Sequence, residues 1–137
     1  MRDRRRTGRV AWCAELVALT LVLVTLAGAV GCVVRYFAEF LVQRHHPTRR
    51  PWATVAINAV GCGVAGWITY RLSSTLDIRL HDILLTGFCG GLTTFSSAFA
   101  IPALLAKQHH WGYSVAIVVA TPLLCGVFFA VGAALGH

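Results

Sequence analysis

Four long apolar segments, separated by short charged loops, constrain the fold of this chain more than any other feature. They run from about residue 12 to 40, 52 to 72, 83 to 105 and 113 to 135. Each is close to the roughly 20 apolar residues that a helix needs to cross a bilayer. Only 12% of the residues are charged, whereas soluble domains average about 25%. The sequence therefore predicts an all-α membrane protein, with residues 1–137 forming a single domain of four transmembrane helices.

A polar run interrupts the third segment. It reads Gly90-Gly91-Leu92-Thr93-Thr94-Phe95-Ser96-Ser97, with adjacent glycines that weaken a helix and four hydroxyl groups around one phenyl ring. Within a bilayer, irregular backbone is tolerated only where protein encloses it or where it lines a wet cavity. Polar groups at this depth are costly and usually functional. The run predicts a broken third helix, with a polar pathway or an ion site at the break.

Other polar residues inside the apolar segments are mainly hydrogen-bond donors. The amide of Asn58 serves either to join helices or to line a pore. Arg35, near the end of the first segment, either snorkels to the interface or draws an anion inward. The fourth segment contributes the hydroxyls of Tyr113, Ser114 and Thr121. Donors and positive ring edges suit a small anion, whereas carbonyls at the glycine break suit a cation, so the residues indicate ion handling without naming the ion.

Small residues recur at helical spacing, which is typical of membrane helices that pack closely. Gly28 and Gly31 share a face of the first segment. Gly126, Ala130 and Ala134 form a stripe along the fourth, beside Gly132 and Gly136. Because four short helices bury little surface alone, the sequence also favours an oligomer.

The net charge of +7 comes from basic residues at the ends of the apolar segments, so it predicts topology rather than binding to nucleic acid. In a four-helix arrangement, seven basic residues share the side of the termini: Arg2, Arg4, Arg5, Arg6, Arg9, Arg71 and Arg79. The other side has four, namely Arg44, Arg49, Arg50 and Lys107. This bias favours cytoplasmic termini, but it reverses without the N-terminal arginines. The orientation is therefore weakly determined.

The sequence carries no signature of a soluble enzyme, such as a phosphate-binding loop, a catalytic triad or a cluster of metal ligands. The five cysteines lie within or at the edges of apolar segments, where they are typical packing residues. The pairs His45-His46 and His109-His110 are chain neighbours, which do not share a helix face. We therefore expect neither catalysis nor a metal centre built from these side chains.

Three motifs carry a resemblance to a known family. They are Gly28-x-x-Gly31-x-x-x-Arg35-Tyr36, then Pro51-Trp52-x-Thr54-x-x-x-Asn58-x-x-Gly61, then Gly87-Phe88-Cys89-Gly90-Gly91-Leu92-Thr93-Thr94-Phe95-Ser96. In this order they resemble the CrcB/Fluc fluoride channel family, over nearly the whole chain. The resemblance implies a multi-pass protein of the cell membrane that lets cytoplasmic fluoride leak out passively and so relieves its toxicity. It also implies an antiparallel dimer of the dual-topology type, either a homodimer or a heterodimer with a paralogous subunit.

The same resemblance implies roles for individual residues. The fluoride pathway would comprise Arg35, Asn58, Thr94, Phe95, Ser96, Ser97 and Phe99. The backbone carbonyls of Gly90 and Thr93, from both subunits, would hold a structural sodium ion at the dimer centre. Either Tyr113 or Thr121 would add a hydroxyl from the fourth helix.

This chain departs from the family's usual pattern just after the third motif. The usual second phenylalanine is replaced by Ala98, a phenylalanine follows at Phe99, and the acidic residue often found further on is Ile101. Because one residue rotates a helix face by about 100°, Phe99 should not occupy the usual place. The departure predicts an incomplete aromatic box, with one pathway impaired or completed by a partner subunit.

Two alternatives therefore stand beside a homodimeric fluoride channel. One is a non-conducting or half-active subunit of a heterodimeric channel. The other is a small multidrug-resistance-type antiporter, a class that depends on a glutamate in its first helix. Glu15 is the candidate for that role, although its position beside the basic N-terminus argues against it.

Overall fold

The computed structural model describes residues 2–45, 50–72 and 78–137, and all regular structure in these ranges is helical. The α-helices are α1 (Arg2–His45), α2 (Arg50–Trp67), α3 (Ile78–Asp82), α4 (Gly90–Leu92), α5 (Phe95–Lys107) and α6 (Trp111–Gly136). Wider π-helical turns extend α2 over Ile68–Leu72 and join α3 to α4 over Ile83–Cys89. The apolar pattern of the sequence did not reveal these π-helical turns.

Within the described ranges, four helices are long and apolar enough to cross a membrane. They are span 1 (Ala14–His45), span 2 (Pro51–Arg71), span 3 (Arg79–Lys107) and span 4 (Trp111–Gly136). The prediction of an all-α chain with four membrane-length apolar helices is confirmed. Span 1 belongs to the 44-residue helix α1, which extends well beyond the predicted segment because arginine is a good helix former and the basic N-terminal stretch stays helical.

Spans 2 and 4 pack with their backbones in close contact along a glycine seam, formed by Gly63, Gly66, Gly132 and Gly136. A Cβ atom added to Gly132 would collide with the Gly63 carbonyl oxygen, and one added to Gly66 would collide with the Phe129 carbonyl oxygen. Small residues allow this approach because no side chain separates the helices. The predicted stripe of Gly126, Ala130 and Ala134 instead lies exposed on the subunit surface. Within the subunit, span 4 therefore packs through Gly132 and Gly136, which lie beside that stripe.

Spans 1 and 3 also pack through glycines, and they run parallel. A Cβ on Gly87 would meet Val24, and a Cβ on Gly91 would collide with the Gly28 carbonyl oxygen. Cys32 reinforces this contact, because its Sγ lies 3.4 Å from the Gly91 carbonyl oxygen and donates to it. Span 3 therefore packs against span 1 as far as Gly91.

Burial differs strongly among the spans. In the most apolar 18-residue stretch of span 1, only 6% of the residues are buried, against 44% in the corresponding stretch of span 2. Span 2 contributes half of the buried hydrophobic side chains among the described residues, namely Ala53, Val55, Ala59 and Ile68. Exposed aliphatic surface of this extent suits contact with lipid or with further helices. Span 2 is therefore the centre of the subunit and the element best placed to position a site.

Candidate functional site

The backbone leaves the helical conformation at two threonines in span 3. Helix α4 ends at Leu92, Thr93 has φ −84° and ψ 153°, and Thr94 has φ −142° and ψ 120°. Helix α5 resumes at Phe95. Extended residues here divert the N–H groups that would otherwise bond the carbonyls one turn earlier, so these groups need other partners.

Asn58 supplies those partners for the Thr94 peptide groups. The Thr94 N–H donates to Asn58 Oδ1 at 2.8 Å, and Asn58 Nδ2 donates to the Thr94 carbonyl oxygen at 3.1 Å. The Asn58 side chain is almost fully buried, with 4% exposed. An amide has two N–H donors, so one remains beyond this two-bond clamp. Asn58 therefore joins two helices, which is one of the two roles that the sequence left open, and it keeps one donor beyond the clamp.

Thr94 in turn begins helix α5. Its Oγ1 accepts a hydrogen bond from the Ser97 N–H at 3.3 Å, which is the N-cap arrangement that threonine favours. The same oxygen lies 3.3 Å from Ser97 Oγ, to which it donates, and 3.2 Å from Ser96 Oγ. Three of the predicted pathway hydroxyls thus form one cluster at the start of α5.

A cavity of about 280 Å³ opens between spans 2, 3 and 4 beside this cluster. Its walls combine the asparagine amide, two threonines of the extended segment and apolar side chains. The lining residues are Asn58, Thr93, Thr94, Phe95, Ala98, Phe99, Val118, Thr121, Pro122 and Cys125. Such a mixture, with few polar groups on apolar walls, is typical of a small-ligand site.

The aromatic side chains of α5 stand on the open side of the cavity. The Phe95 ring is 81% exposed and its centroid lies 4.6 Å from that of Phe99, with the planes tilted by 44°. Residues four apart lie on the same face of a helix, which brings these rings together. Ala98 is buried in the wall instead. Phe99 thus extends the aromatic surface of Phe95 rather than filling the place of Ala98.

The fourth-span hydroxyl that joins the cavity is Thr121. Its Oγ1 donates to the Ile117 carbonyl at 2.8 Å, which leaves the oxygen's lone pairs as acceptors. Tyr113 does not line the cavity, because its ring packs edge-on against Trp52 at 6.3 Å. Ser114 is also occupied elsewhere, since it donates to the Pro102 carbonyl at 2.7 Å. The structure thus distinguishes between two hydroxyls that the sequence could not.

Arg35 and Glu15, both on helix α1, lie outside the cavity wall. Arg35 is half-buried, and Glu39 on the next turn accepts a bond of 3.4 Å from the buried hydroxyl of Thr54. Glu15 is exposed on the surface of span 1. Of the predicted pathway residues, the cavity therefore brings together Asn58, Thr94, Phe95 and Phe99. Ser96 and Ser97 do not line the cavity, but their hydroxyls hydrogen-bond to Thr94, which does. Arg35 lies apart from it.

The extended segment also offers oxygen ligands for a cation. The Thr94 and Ser97 N–H groups, which would bond the Gly90 and Thr93 carbonyls in a continuous helix, donate to side-chain oxygens. Gly90 is exposed, with open space beyond its Cα. Carbonyl oxygens of this kind suit a hard cation, so Gly90 and Thr93 fit the implied sodium ion. Among the described side chains, no group of three or more His, Cys, Asp or Glu residues could hold a metal.

Comparisons with known proteins identify the family of this chain. A profile of the family described as "CrcB-like protein, Camphor Resistance (CrcB)" matches residues 22–133. Three relatives are named for fluoride channels. The "Fluoride-specific ion channel FluC" of Rhizobium etli (strain CIAT 652) is 43% identical over 86 residues, 60% of this chain and 66% of the relative. That of Phocaeicola vulgatus is 42% identical over 81 residues, 57% and 65% of the two chains.

The third relative, "Fluoride-specific ion channel FluC 1" of Mycobacterium bovis, is 36% identical over 101 residues, 72% of this chain and 76% of its own. The matched region covers just under two thirds of the length of the Rhizobium and Phocaeicola relatives. With its four membrane-length helices, the chain is a multi-pass membrane protein. Because the family profile matches most of its length, the chain belongs to the CrcB-like protein family.

Proposed function

We propose that this chain is a subunit of a passive, fluoride-selective channel that exports cytoplasmic fluoride and so relieves its toxicity. The observation that carries the proposal is the cavity in which a clamped asparagine amide, threonine hydroxyls and exposed phenyl rings meet. Family membership and the names of the relatives support the same ion. The protein would act in the cell membrane as a channel rather than as an enzyme.

Fluoride is small and strongly hydrated, so a selective path must replace water with well-placed donors. The second N–H of Asn58 and the hydroxyls of Ser96 and Ser97 are such donors. The Phe95 and Phe99 rings carry positive edges that attract anions without strong binding. Hydrogen fluoride enters cells as a neutral weak acid and dissociates in the less acidic cytoplasm. A passive path for the anion then suffices to remove it.

The complete channel would be an antiparallel dimer of the dual-topology type, with each subunit a single four-helix domain. Phe95 is 81% exposed at the membrane depth of the cavity, and Gly90 faces open space. Both features leave room for a second subunit. The Gly90 and Thr93 carbonyls of both subunits would hold a sodium ion. When bound, that ion would supply fixed positive charge at the dimer centre.

A heterodimer with a paralogous subunit is the second candidate assembly. It is favoured by Ala98, which lines the cavity where the family's second ring is usual. In this arrangement the chain alone would be half-active or non-conducting, and the partner would complete the aromatic box. An Ala98→Phe variant tests this point in the homodimer. Faster fluoride flux than in the parent supports an incomplete box, whereas unchanged or slower flux removes the reason for invoking a partner.

Efflux from liposomes tests the proposed activity directly. The purified full chain is reconstituted into liposomes loaded with fluoride or chloride, and release is followed with an ion-selective electrode. Rapid fluoride release with chloride retained is expected for a selective homodimer. Fluoride release only after co-reconstitution with a paralogous subunit assigns a heterodimer. Equal release of both ions, or silence in both preparations, would contradict the proposed function.

A further inference from the structure

A second cavity lies away from the proposed ion path, on the outer surface between spans 1 and 3. It is a groove of about 360 Å³ lined by Leu16, Val17, Thr20, Leu21 and Arg79. Its walls are apolar, because the Thr20 hydroxyl is used within α1, where it donates to the Leu16 carbonyl at 2.8 Å. Val17 and Leu21 are 58% and 62% exposed. The groove therefore offers apolar walls and one cation.

The packing register places that cation at the edge of the bilayer. Spans 1 and 3 run parallel, with Gly87 beside Val24 and Gly91 beside Gly28. If this pairing of residues continues toward the start of span 3, Arg79 lies level with Leu16. Trp12, one turn before Leu16, is exposed, and tryptophan favours the headgroup zone of a membrane. The Arg79 guanidinium thus lies within reach of lipid phosphates, while the groove descends from it into the hydrocarbon.

Arg79 is available for an external anion. It is exposed, and it forms no ion pair or hydrogen bond with the residues that the structure describes. Among the described residues, the nearest carboxylate in sequence is that of Asp82, and its Oδ1 lies 3.5 Å from His81 Nδ1 instead. Helix α1 also carries the arginines of residues 2–9 on this side of the membrane. The local charge is therefore complementary to an anionic headgroup.

We infer that this groove binds an anionic phospholipid, with an acyl chain along Val17 and Leu21 and the phosphate against Arg79. An aliphatic chain fits the apolar walls, and a guanidinium binds phosphate oxygens with charge-assisted hydrogen bonds. A zwitterionic lipid would fill the same groove but gain less from the basic surroundings. This site is independent of the proposed fluoride path, because the two cavities share no residue.

Native mass spectrometry of the detergent-purified full chain tests the inference. The parent is mixed with phosphatidylglycerol or phosphatidylcholine of identical acyl chains, and retained lipid is counted. We expect the parent to prefer phosphatidylglycerol and Arg79→Gln to weaken its retention roughly fivefold, the effect of one basic residue at an anionic surface. Lys107→Gln is the matched control, because Lys107 is an exposed cation at the other end of span 3. It should leave the preference unchanged.

Val17→Phe probes the acyl-chain part of the groove, since it fills an exposed position of the wall. It should reduce retention of both lipids while Arg79→Gln affects mainly the anionic one. Equal retention of the two lipids by the parent, or equal losses in Arg79→Gln and Lys107→Gln, would overturn the inference. Loss of the dimer in Val17→Phe with unchanged lipid retention would assign the groove to a second copy of the chain and overturn it as well.

Discussion

Spans 2 and 4 face each other in two regions along their length, and these regions differ in packing and in polarity. At the glycine seam, the carbonyl oxygen of Gly63 lies where a Gly132 side chain would begin. Further along the same helices, Asn58 and Thr121 stand on either side of a cavity of about 280 Å³. The seam has no polar side chain and no space. The cavity has both, and the extended residues Thr93 and Thr94 of span 3 line it.

The difference shows how a small membrane subunit combines closure with a polar site. Glycines bring two helices together so that the seam fixes their distance and angle. Beyond the seam, Asn58 holds the backbone of span 3 rather than that of span 4. The close packing at the seam therefore holds the walls of the cavity in place. A substitution that disrupts the seam should lower the free energy of unfolding more than a substitution of any single cavity residue.

The largest effect is expected from Gly132→Ala in the seam. The added methyl group would collide with the Gly63 carbonyl oxygen, which belongs to backbone and cannot rotate away. Overpacking of this kind costs about 3 kcal/mol at the upper end of its usual range. Thermal unfolding in detergent, followed by circular dichroism, should show a clearly lower midpoint and loss of the monodisperse peak in size-exclusion chromatography.

Gly126→Ala is the control for this seam variant. Gly126 lies in the same helix, and a Cβ added there meets nothing within 4 Å. It should leave the unfolding midpoint unchanged or raise it slightly, because alanine favours helix more than glycine does. If the two variants unfold alike, close packing at the seam does not determine stability.

Asn58→Ala is expected to have the next largest effect. It removes both hydrogen bonds to Thr94 and leaves two part-buried peptide groups without protein partners. Because water in the adjacent cavity can reach these groups, the loss should be about 1 kcal/mol for each, the lower end of the usual range. Fluoride flux should also fall at least tenfold, since the donor at the cavity is lost. The measurement pairs unfolding in detergent with liposome efflux of the same preparation.

This pairing separates two roles for the asparagine. A side chain that only lines a pore would lose flux while stability stayed at the parent value. A side chain that only joins helices would lose stability while the surviving folded protein conducted normally. The clamp geometry, with one N–H left over, predicts both losses together. Either loss alone would contradict the combined role.

The sequence predicted the four spans because hydropathy alone determines which segments cross a membrane. It also located the polar run whose threonines are extended and whose Gly91 packs on span 1. It did not predict which face of span 4 would pack. Gly126 and Gly132 stand in equally apolar surroundings, and lipid is as apolar as a protein core. Amphipathic patterning, which marks the buried face of a soluble helix, is therefore missing.

The sequence also did not predict which residues the polar side chains would contact. Asn58 binds a peptide 36 positions away, and no spacing rule within one helix predicts such a contact. Thr121 and Tyr113 both offered a hydroxyl, and the contact of Tyr113 with Trp52 removes it from the cavity. The implied roles of Gly90 and Thr93 at a sodium ion, and of Arg35 at the pathway entrance, stay predictions.

Thr94→Val should have a smaller effect than Asn58→Ala, because it removes the cap of α5 and two long contacts with the Ser96 and Ser97 hydroxyls but leaves the peptide groups of Thr94 bonded to Asn58. Valine keeps the branched shape but cannot accept the Ser97 N–H. Loss of such a cap costs about 1 kcal/mol, which should lower the unfolding midpoint modestly. Thr94→Ser retains the hydroxyl and should stay close to the parent. Destabilisation by serine as large as that by valine would show that packing of the threonine methyl group contributes as much as the cap, which would contradict the prediction.

The smallest effect is expected at Thr121, on the side of the cavity opposite Asn58. Thr121→Val removes one hydroxyl without changing the shape of the wall, and its bond to the Ile117 carbonyl lies within the helix. The Thr121 hydroxyl can donate to fluoride only by giving up its bond to the Ile117 carbonyl, so the two interactions largely offset each other. Fluoride efflux should therefore fall only about twofold to tenfold, equivalent to about 0.5–1.5 kcal/mol, with stability nearly unchanged. Tyr113→Phe is the matched test, because that hydroxyl lies outside the cavity and should not alter flux. If Tyr113→Phe slows efflux and Thr121→Val does not, the ion path does not run through the cavity between spans 2 and 4. The seam would then support a different opening from the one that Asn58 and Thr121 enclose.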